Sequence, residues 1–89
     1  MDTIQSVMNK IQSIRSKFEQ LLGSTNERGK RRVLDSMIMM LANLSVELSM
    51  MRAELATRSI EVSDQEINKY IEDAKYIERI VDQIASIRL

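Results

Sequence analysis

Three stretches of the chain repeat their apolar residues at alternating steps of three and four. The first stretch carries the repeat on Ile4, Val7, Ile11, Ile14, Phe18 and Leu21. The second carries it on Leu34, Met37, Leu41, Leu44, Leu48, Met51 and Leu55, and the third on Ile67, Tyr70, Ala74, Ile77, Val81 and Ile84. A helix that is buried along one side has this spacing, whereas the period of two that marks a strand never persists for more than a few residues. The pattern therefore predicts three amphipathic helices, at about residues 3–22, 27–58 and 64–88.

Residues that interrupt helices are rare, since the chain has no proline and only two glycines. Gly23 follows the first repeat, where a left-handed residue commonly ends a helix. Ser24 and Glu27 have the spacing of a capping box, which would start the second helix at once. A start near Lys30 is the alternative, because a second glycine and four basic residues suit a helical first turn poorly.

The third helix has the clearest start. Ser63 and Glu66 match a capping box, and Asp64 adds negative charge where the helix dipole favours it. Short connections make neighbouring helices antiparallel. The sequence therefore predicts one all-α domain over residues 1–89, an antiparallel up-down-up three-helix bundle of coiled-coil-like helices.

The repeat of the second helix is broader in its first half. Val33, Ile38 and Met40 flank the repeat between Val33 and Leu44, and Met39 lies on the opposite side of the helix. A helix that is apolar nearly all round is typically surrounded by neighbours. We therefore expect the thickest part of the core beside the first turn.

The predicted helices differ in length. At 1.5 Å per residue the first helix measures about 30 Å and the second about 38–48 Å, so the first ends before it has covered the second. Uncovered apolar side chains mark a binding surface, and flexible methionines suit such surfaces. We predict self-association or a partner helix there. The predicted interface comprises Met39, Leu48, Met50, Met51, Leu55, Ile67, Tyr70 and Ile71.

One dense charge cluster lies in the turn after the first helix. It consists of Arg28, Lys30, Arg31 and Arg32. Such a cluster can bind phosphate, an acidic lipid surface or an acidic protein, but a solvated turn is the simpler interpretation. A formal net charge of zero, with no aromatic residue near the turn, argues against nucleic acid or an anionic membrane as the main partner.

The composition offers no set of residues for catalysis. There is no cysteine and no histidine, so an ordinary zinc site, a histidine-activated serine and histidine phosphotransfer are all excluded. Adjacent acidic residues such as Glu72 and Asp73 do not face each other on a helix. We expect no enzyme activity, no cofactor, no metal and no small-molecule substrate.

Few features of the sequence indicate where in the cell the protein is located. The longest apolar run, Met37 to Ala42, is far shorter than a membrane span. The first residues lack the basic start and apolar block of a secretory signal. We expect a cytoplasmic protein, and export by a signal-less route stays open.

In size, composition and helix pattern the chain resembles several groups of small helical proteins, among them secretion-system chaperones and subunits and coiled-coil adaptors. The resemblance is one of architecture, and it assigns no residues. The leading hypothesis is a non-catalytic protein–protein interaction module, such as a structural subunit, adaptor or small chaperone, that acts through coiled-coil or helix-in-groove packing. The alternative is a small regulator that binds nucleic acid or an anionic membrane through the basic turn at residues 28–32.

Overall fold

The computed structural model describes residues 3–58 and 62–88. Within them the chain forms three α-helices and no strand: α1 (Thr3–Ser24), α2 (Arg28–Thr57) and α3 (Asp64–Ala85). The predicted all-α helical bundle is confirmed. The predicted helices end within three residues of these bounds.

The end of α1 does not use its glycine as the sequence suggests. Gly23 lies inside α1, and no residue in the described ranges has a positive φ. Instead the Arg31 guanidinium, from the first turn of α2, donates hydrogen bonds to the Leu22 carbonyl at 2.8 Å and the Thr25 carbonyl at 2.9 Å. A helix end leaves carbonyl oxygens without partners, and here an arginine supplies donors that a left-handed glycine motif otherwise provides. The prediction of a left-handed Gly23 is wrong for that reason.

The predicted capping box at the start of α2 is also wrong. Ser24 still belongs to α1, and its hydroxyl donates to the Leu21 carbonyl at 3.1 Å. Glu27 occupies the N-cap position without a side-chain capping hydrogen bond, and α2 begins at Arg28. Of the box predicted for α3, the N-cap hydrogen bond is confirmed, because the Ser63 hydroxyl accepts from the Glu66 backbone N–H at 3.3 Å.

The core is a column of apolar side chains shared by the three helices. Its buried members are Ile4, Val7, Ile11, Ile14, Phe18, Leu34, Leu41, Leu48, Ala74, Ile77, Val81 and Ile84. All twelve occupy positions of the three-and-four repeats. Among the remaining repeat positions, Leu21 is 45% exposed and the others are half-buried.

Polar contacts between helices hold this column at intervals along its length. The Arg52 guanidinium donates to the Gln5 side-chain oxygen, which joins the C-terminal part of α2 to the start of α1. The Lys10 ammonium donates to Asp82 at 2.8 Å, which joins α1 to the last turns of α3. α1 therefore contacts both other helices, and the direct contact between α2 and α3 is the smallest of the three.

The bundle is elongated, about 51 × 20 × 19 Å. Three helices in such a rod leave the outer side of each one open, and this overturns one prediction. The stretch from Val33 to Leu44 is not surrounded within the chain, because Met39 is 68% exposed, Met40 45% and Val33 38%. Its broad apolar surface faces outward beside the first turn.

Candidate interaction surface

The outer side of α2 carries a second line of regularly spaced residues, opposite the core. Met39, Val46 and Met50 are 68%, 57% and 67% exposed, and Asn43 lies between them, also exposed. Steps of four, three and four separate the four residues, which is the spacing of a coiled-coil contact. We call these four residues the outer stripe.

The outer stripe arises because α2 has two apolar sides. At 100° per residue, Met39 and Met50 lie within about 20° of the direction directly opposite Leu41, which is fully buried. No charged residue occurs in α2 between Asp35 and Glu47. The outer side of this stretch therefore lacks the charged side chains that usually cover the solvent side of a helix.

The sequence predicts part of the outer stripe. Met39 and Met50 were predicted as interface residues because they lie off the core repeat. Val46 and Asn43 were missed, although the steps from residue 39 to residue 50 form a repeat of their own. The signal that identifies Val46 and Asn43 is this second three-and-four repeat, on the side of α2 opposite the core repeat.

A shallow groove between α2 and α3 adjoins the outer stripe. It encloses about 360 Å³, and its lining consists of Glu47, Met50, Met51, Glu54, Asp73 and Ile77. Three of these side chains are apolar and three are carboxylates. The chemistry fits an apolar side chain flanked by cations.

The other predicted interface residues lie near the far end of α2 and the start of α3. Met51, Leu55, Ile67, Tyr70 and Ile71 are all half-buried. They therefore retain only part of their surface for a partner.

Leu48 does not belong to this surface. Its exposed fraction is 0%, and it packs in the core with Leu41 and Leu34. The prediction that Leu48 contacts a partner does not hold for this packing, because Leu48 is a core position of α2 and the other helices already cover it.

Charged and polar groups join α2 to α3 at this end. Arg58 lies 3.4 Å from Glu54 on α2 and 3.6 Å from Glu66 on α3. Hydrogen bonding to the Glu54 carboxylate, which only the protonated phenol can provide, is the largest cause that raises the pKa of Tyr70 above 10.0.

The basic turn is partly used inside the molecule. Arg31 donates to the end of α1 as described above, and Lys30 lies 3.6 Å from Glu27. Arg28 and Arg32 are exposed, and they share a shallow surface depression with Asp35. Two of the four predicted cations thus have an identified structural contact, which favours the interpretation of this cluster as a structural turn.

α2 also meets a compositional test for membrane helices. It is the one described helix long and apolar enough to cross a bilayer, with a mean hydropathy of 1.4 over its most apolar 18 residues, of which 17% are buried. Length and composition alone are weak evidence for a span, since a helix that packs on other helices meets the same test. The low buried fraction of these 18 residues agrees with the exposure of Met39, Met40 and Val46 in α2.

In comparisons with known proteins, no family model, curated protein or solved structure matches the chain.

Proposed function

We propose that this chain is a non-catalytic helical protein–protein interaction module, which buries the outer stripe of α2 and the adjoining groove against another helix. A structural subunit, an adaptor or a small chaperone all fit this role, and a secretion-type assembly is one setting for it. The observation that carries the proposal is the exposure of Met39, Val46 and Met50 on the outer side of α2, which has no charged residue between Asp35 and Glu47. Regularly spaced apolar side chains in water are characteristic of a surface that associates.

The proposal includes an up-down-up arrangement of the three helices. Its support is the set of contacts between them: Arg52 with Gln5, Lys10 with Asp82, and Arg58 with Glu66. In this arrangement the last turns of α2 and the first turns of α3 extend beyond the start of α1. The half-buried state of Leu55 and Ile67 agrees with such a two-helix end.

The energetics favour a partner that contributes an apolar side of its own. Burying a valine or methionine side chain is worth about 1.5–3 kcal/mol, so covering three that are half to two-thirds exposed is worth on the order of 3–6 kcal/mol. Association costs about 4–15 kcal/mol in lost freedom. The outer stripe alone therefore offsets only part of that cost, whereas a partner with an equal apolar surface doubles the gain.

The absence of catalysis is part of the same proposal. The sequence has no histidine or cysteine to act as a base, nucleophile or metal ligand. None of the charged side chains that the structure describes is buried, and several make ion pairs such as Arg15 with Glu19 at 3.3 Å. Such surface pairs have an ordinary structural role.

The alternative, a regulator that binds nucleic acid or an anionic membrane through residues 28–32, has less support. The contacts of Arg31 with α1 and of Lys30 with Glu27 give half of the basic cluster a role inside the chain. A gel shift with DNA and co-sedimentation with anionic vesicles, both at low salt, test this alternative. Binding that weakens steeply with salt would favour it.

The proposed function is tested with two variants of equal charge change. The first, Met39→Lys/Met50→Lys, places cations on the outer stripe, and the control, Ser13→Lys/Gln20→Lys, places them at exposed positions of α1. Each is used with the wild-type chain as bait for partners and in sedimentation equilibrium at several concentrations. We expect an association that the wild-type chain and the control share and that the stripe variant loses. Equal behaviour of all three baits, with a single-chain mass throughout, would contradict the proposed function.

A further inference from the structure

The outer stripe has the same spacing when it is followed in the opposite direction. The steps from Met39 through Asn43 and Val46 to Met50 are four, three and four, so the pattern is symmetric about the midpoint between Asn43 and Val46. Two antiparallel copies of α2 that share this midpoint place Met39 of each copy opposite Met50 of the other. Two-fold dimers use such self-complementary surfaces.

We propose that the partner of the outer stripe is a second copy of this chain, with the two α2 helices antiparallel and centred between Asn43 and Val46. This inference rests on the proposed function and makes it more specific. It identifies the occupant, the direction and the register of the contact.

Charge distribution along α2 favours the antiparallel direction. Residues 27–35, at the N-terminal end, contain four basic and two acidic residues, a net charge of +2. The described residues between 54 and 66, at the other end, contain Glu54, Arg58, Asp64 and Glu66, a net charge of −2. The contact of Arg58 with Glu66 places the start of α3 at that end of α2.

An antiparallel pair therefore brings the basic end of one copy to the acidic end of the other, at both ends of the contact. A parallel pair brings the two basic ends together, and these repel. Antiparallel helix dipoles add a smaller contribution of the same sign. The exposed Arg28 and Arg32 thereby obtain a role in orienting the partner.

Asn43 favours this register over a shifted one. An asparagine within an apolar coiled-coil contact fixes register, because its amide needs a hydrogen-bonding partner there. In the proposed pair the two Asn43 residues are offset by three positions, about 4.5 Å along the helix axis. Their amides can then reach each other across the two-fold axis. A register shifted by one heptad toward the C-terminal end of α2 separates the two amides by ten positions, about 15 Å. The opposite shift keeps them four positions apart but places Met50 opposite Arg32.

Cysteine cross-linking tests the direction and the register together, since the natural chain has no cysteine. Met39→Cys and Met50→Cys are made as separate full-length variants and oxidised alone and as an equimolar mixture. In the proposed pair residues 39 and 50 of opposite copies are adjacent, whereas like residues are about 16 Å apart along the axis. A disulfide needs Cα atoms within about 7 Å. We expect covalent dimer in the mixture and none from either variant alone.

Controls and contrary outcomes are equally specific. Ser13→Cys mixed with Gln20→Cys, both on the exposed side of α1, measures random collision. Covalent dimer from Met39→Cys alone, above that level, indicates parallel pairing and overturns the inference. No excess dimer in the mixture, with a single-chain mass at all concentrations, also overturns it.

The last outcome separates this inference from the proposed function. A chain that stays monomeric but captures another protein, and loses it through Met39→Lys/Met50→Lys alone, keeps the interaction module and rejects the second copy as its partner. If the chain neither self-associates nor captures another protein, both the proposed function and the second copy as its partner are rejected.

Discussion

The Nζ atom of Lys10 on α1 lies 2.8 Å from Oδ1 of Asp82 on α3, 72 residues further along the chain. The same ammonium lies 3.7 Å from Glu78, one turn earlier on α3. The hydrogen bond to Asp82 is the largest cause that raises the pKa of Lys10 above 10.5. This stabilisation is fully present below pH 10.5 and is lost as the pH rises through the raised pKa.

Reversing the charge of Lys10 tests this link between α1 and α3. Because both side chains are partly solvated, we expect Lys10→Glu to lower the free energy of unfolding by about 0.5–1 kcal/mol. Adding Asp82→Lys should restore part of the loss. Urea unfolding measures both, and Arg15→Glu, which disrupts a pair within α1 alone, is the control. Equal effects of Asp82→Lys with and without Lys10→Glu would show that the two residues are not coupled.

Tyr70 offers a local test of the contact between α2 and α3. Its hydrogen bond to Glu54 raises its pKa, so the contact stabilises the fold below pH 10.0 and is lost as the pH rises through the higher folded value. In a Tyr76→Phe background the tyrosinate absorbance reports Tyr70 alone. We expect its titration above pH 10.0, and a lower midpoint after Glu54→Ala.

Glu72→Ala is the matched control for that titration, because Glu72 is not among the groups that shift Tyr70. If Glu54→Ala leaves the titration midpoint of Tyr70 unchanged and Glu72→Ala shifts it, then Tyr70 does not contact Glu54.

Much of this fold follows from the spacing of apolar residues. The repeats predicted all twelve buried positions, because a helix with one continuous apolar side has a single way to bury it. The exposure of Val33 and Met40 could not be predicted, since a broad apolar surface does not record whether the same chain or another covers it. The prediction of how α1 ends is wrong for a similar reason: Arg31 contacts the end of α1 from a different helix, and the local sequence around Gly23 does not indicate this contact.

Leu48 and Met50 are two residues apart, yet they lie on opposite sides of α2 with exposed fractions of 0% and 67%. We expect Leu48→Ala to destabilise the chain by about 2–5 kcal/mol, because it leaves a cavity in the core. Met50→Ala should change the free energy of unfolding by about 0.5 kcal/mol or less in dilute solution. Denaturant unfolding at low protein concentration compares the two. A large effect of Met50→Ala under those conditions would indicate that the chain already covers this side.

Arg31 should contribute more to stability than its basic neighbour Arg28. Removing the guanidinium leaves the carbonyls of Leu22 and Thr25 to solvent, and we expect Arg31→Ala to cost about 1 kcal/mol. Arg28→Ala is the control at an exposed position in the same turn, and it should leave the unfolding midpoint nearly unchanged. If the two variants unfold alike, the hydrogen bonds to the end of α1 do not stabilise the turn.

The two glycines test the geometry of the first turn. Gly23 and Gly29 both lie within helices and lack a positive φ, and a Cβ atom added at either position meets no atom within 4 Å. Alanine there restricts the unfolded chain and improves helix propensity, so Gly23→Ala and Gly29→Ala should each stabilise the chain by about 0.4–1 kcal/mol. Thermal and urea unfolding measure the gain. If Gly23 were left-handed, as the sequence alone suggests, Gly23→Ala would destabilise the chain, because a Cβ atom is strained in that conformation. If Gly23→Ala destabilises the chain while Gly29→Ala stabilises it, then α1 ends at Leu22 and the contact of Arg31 is not what ends the helix.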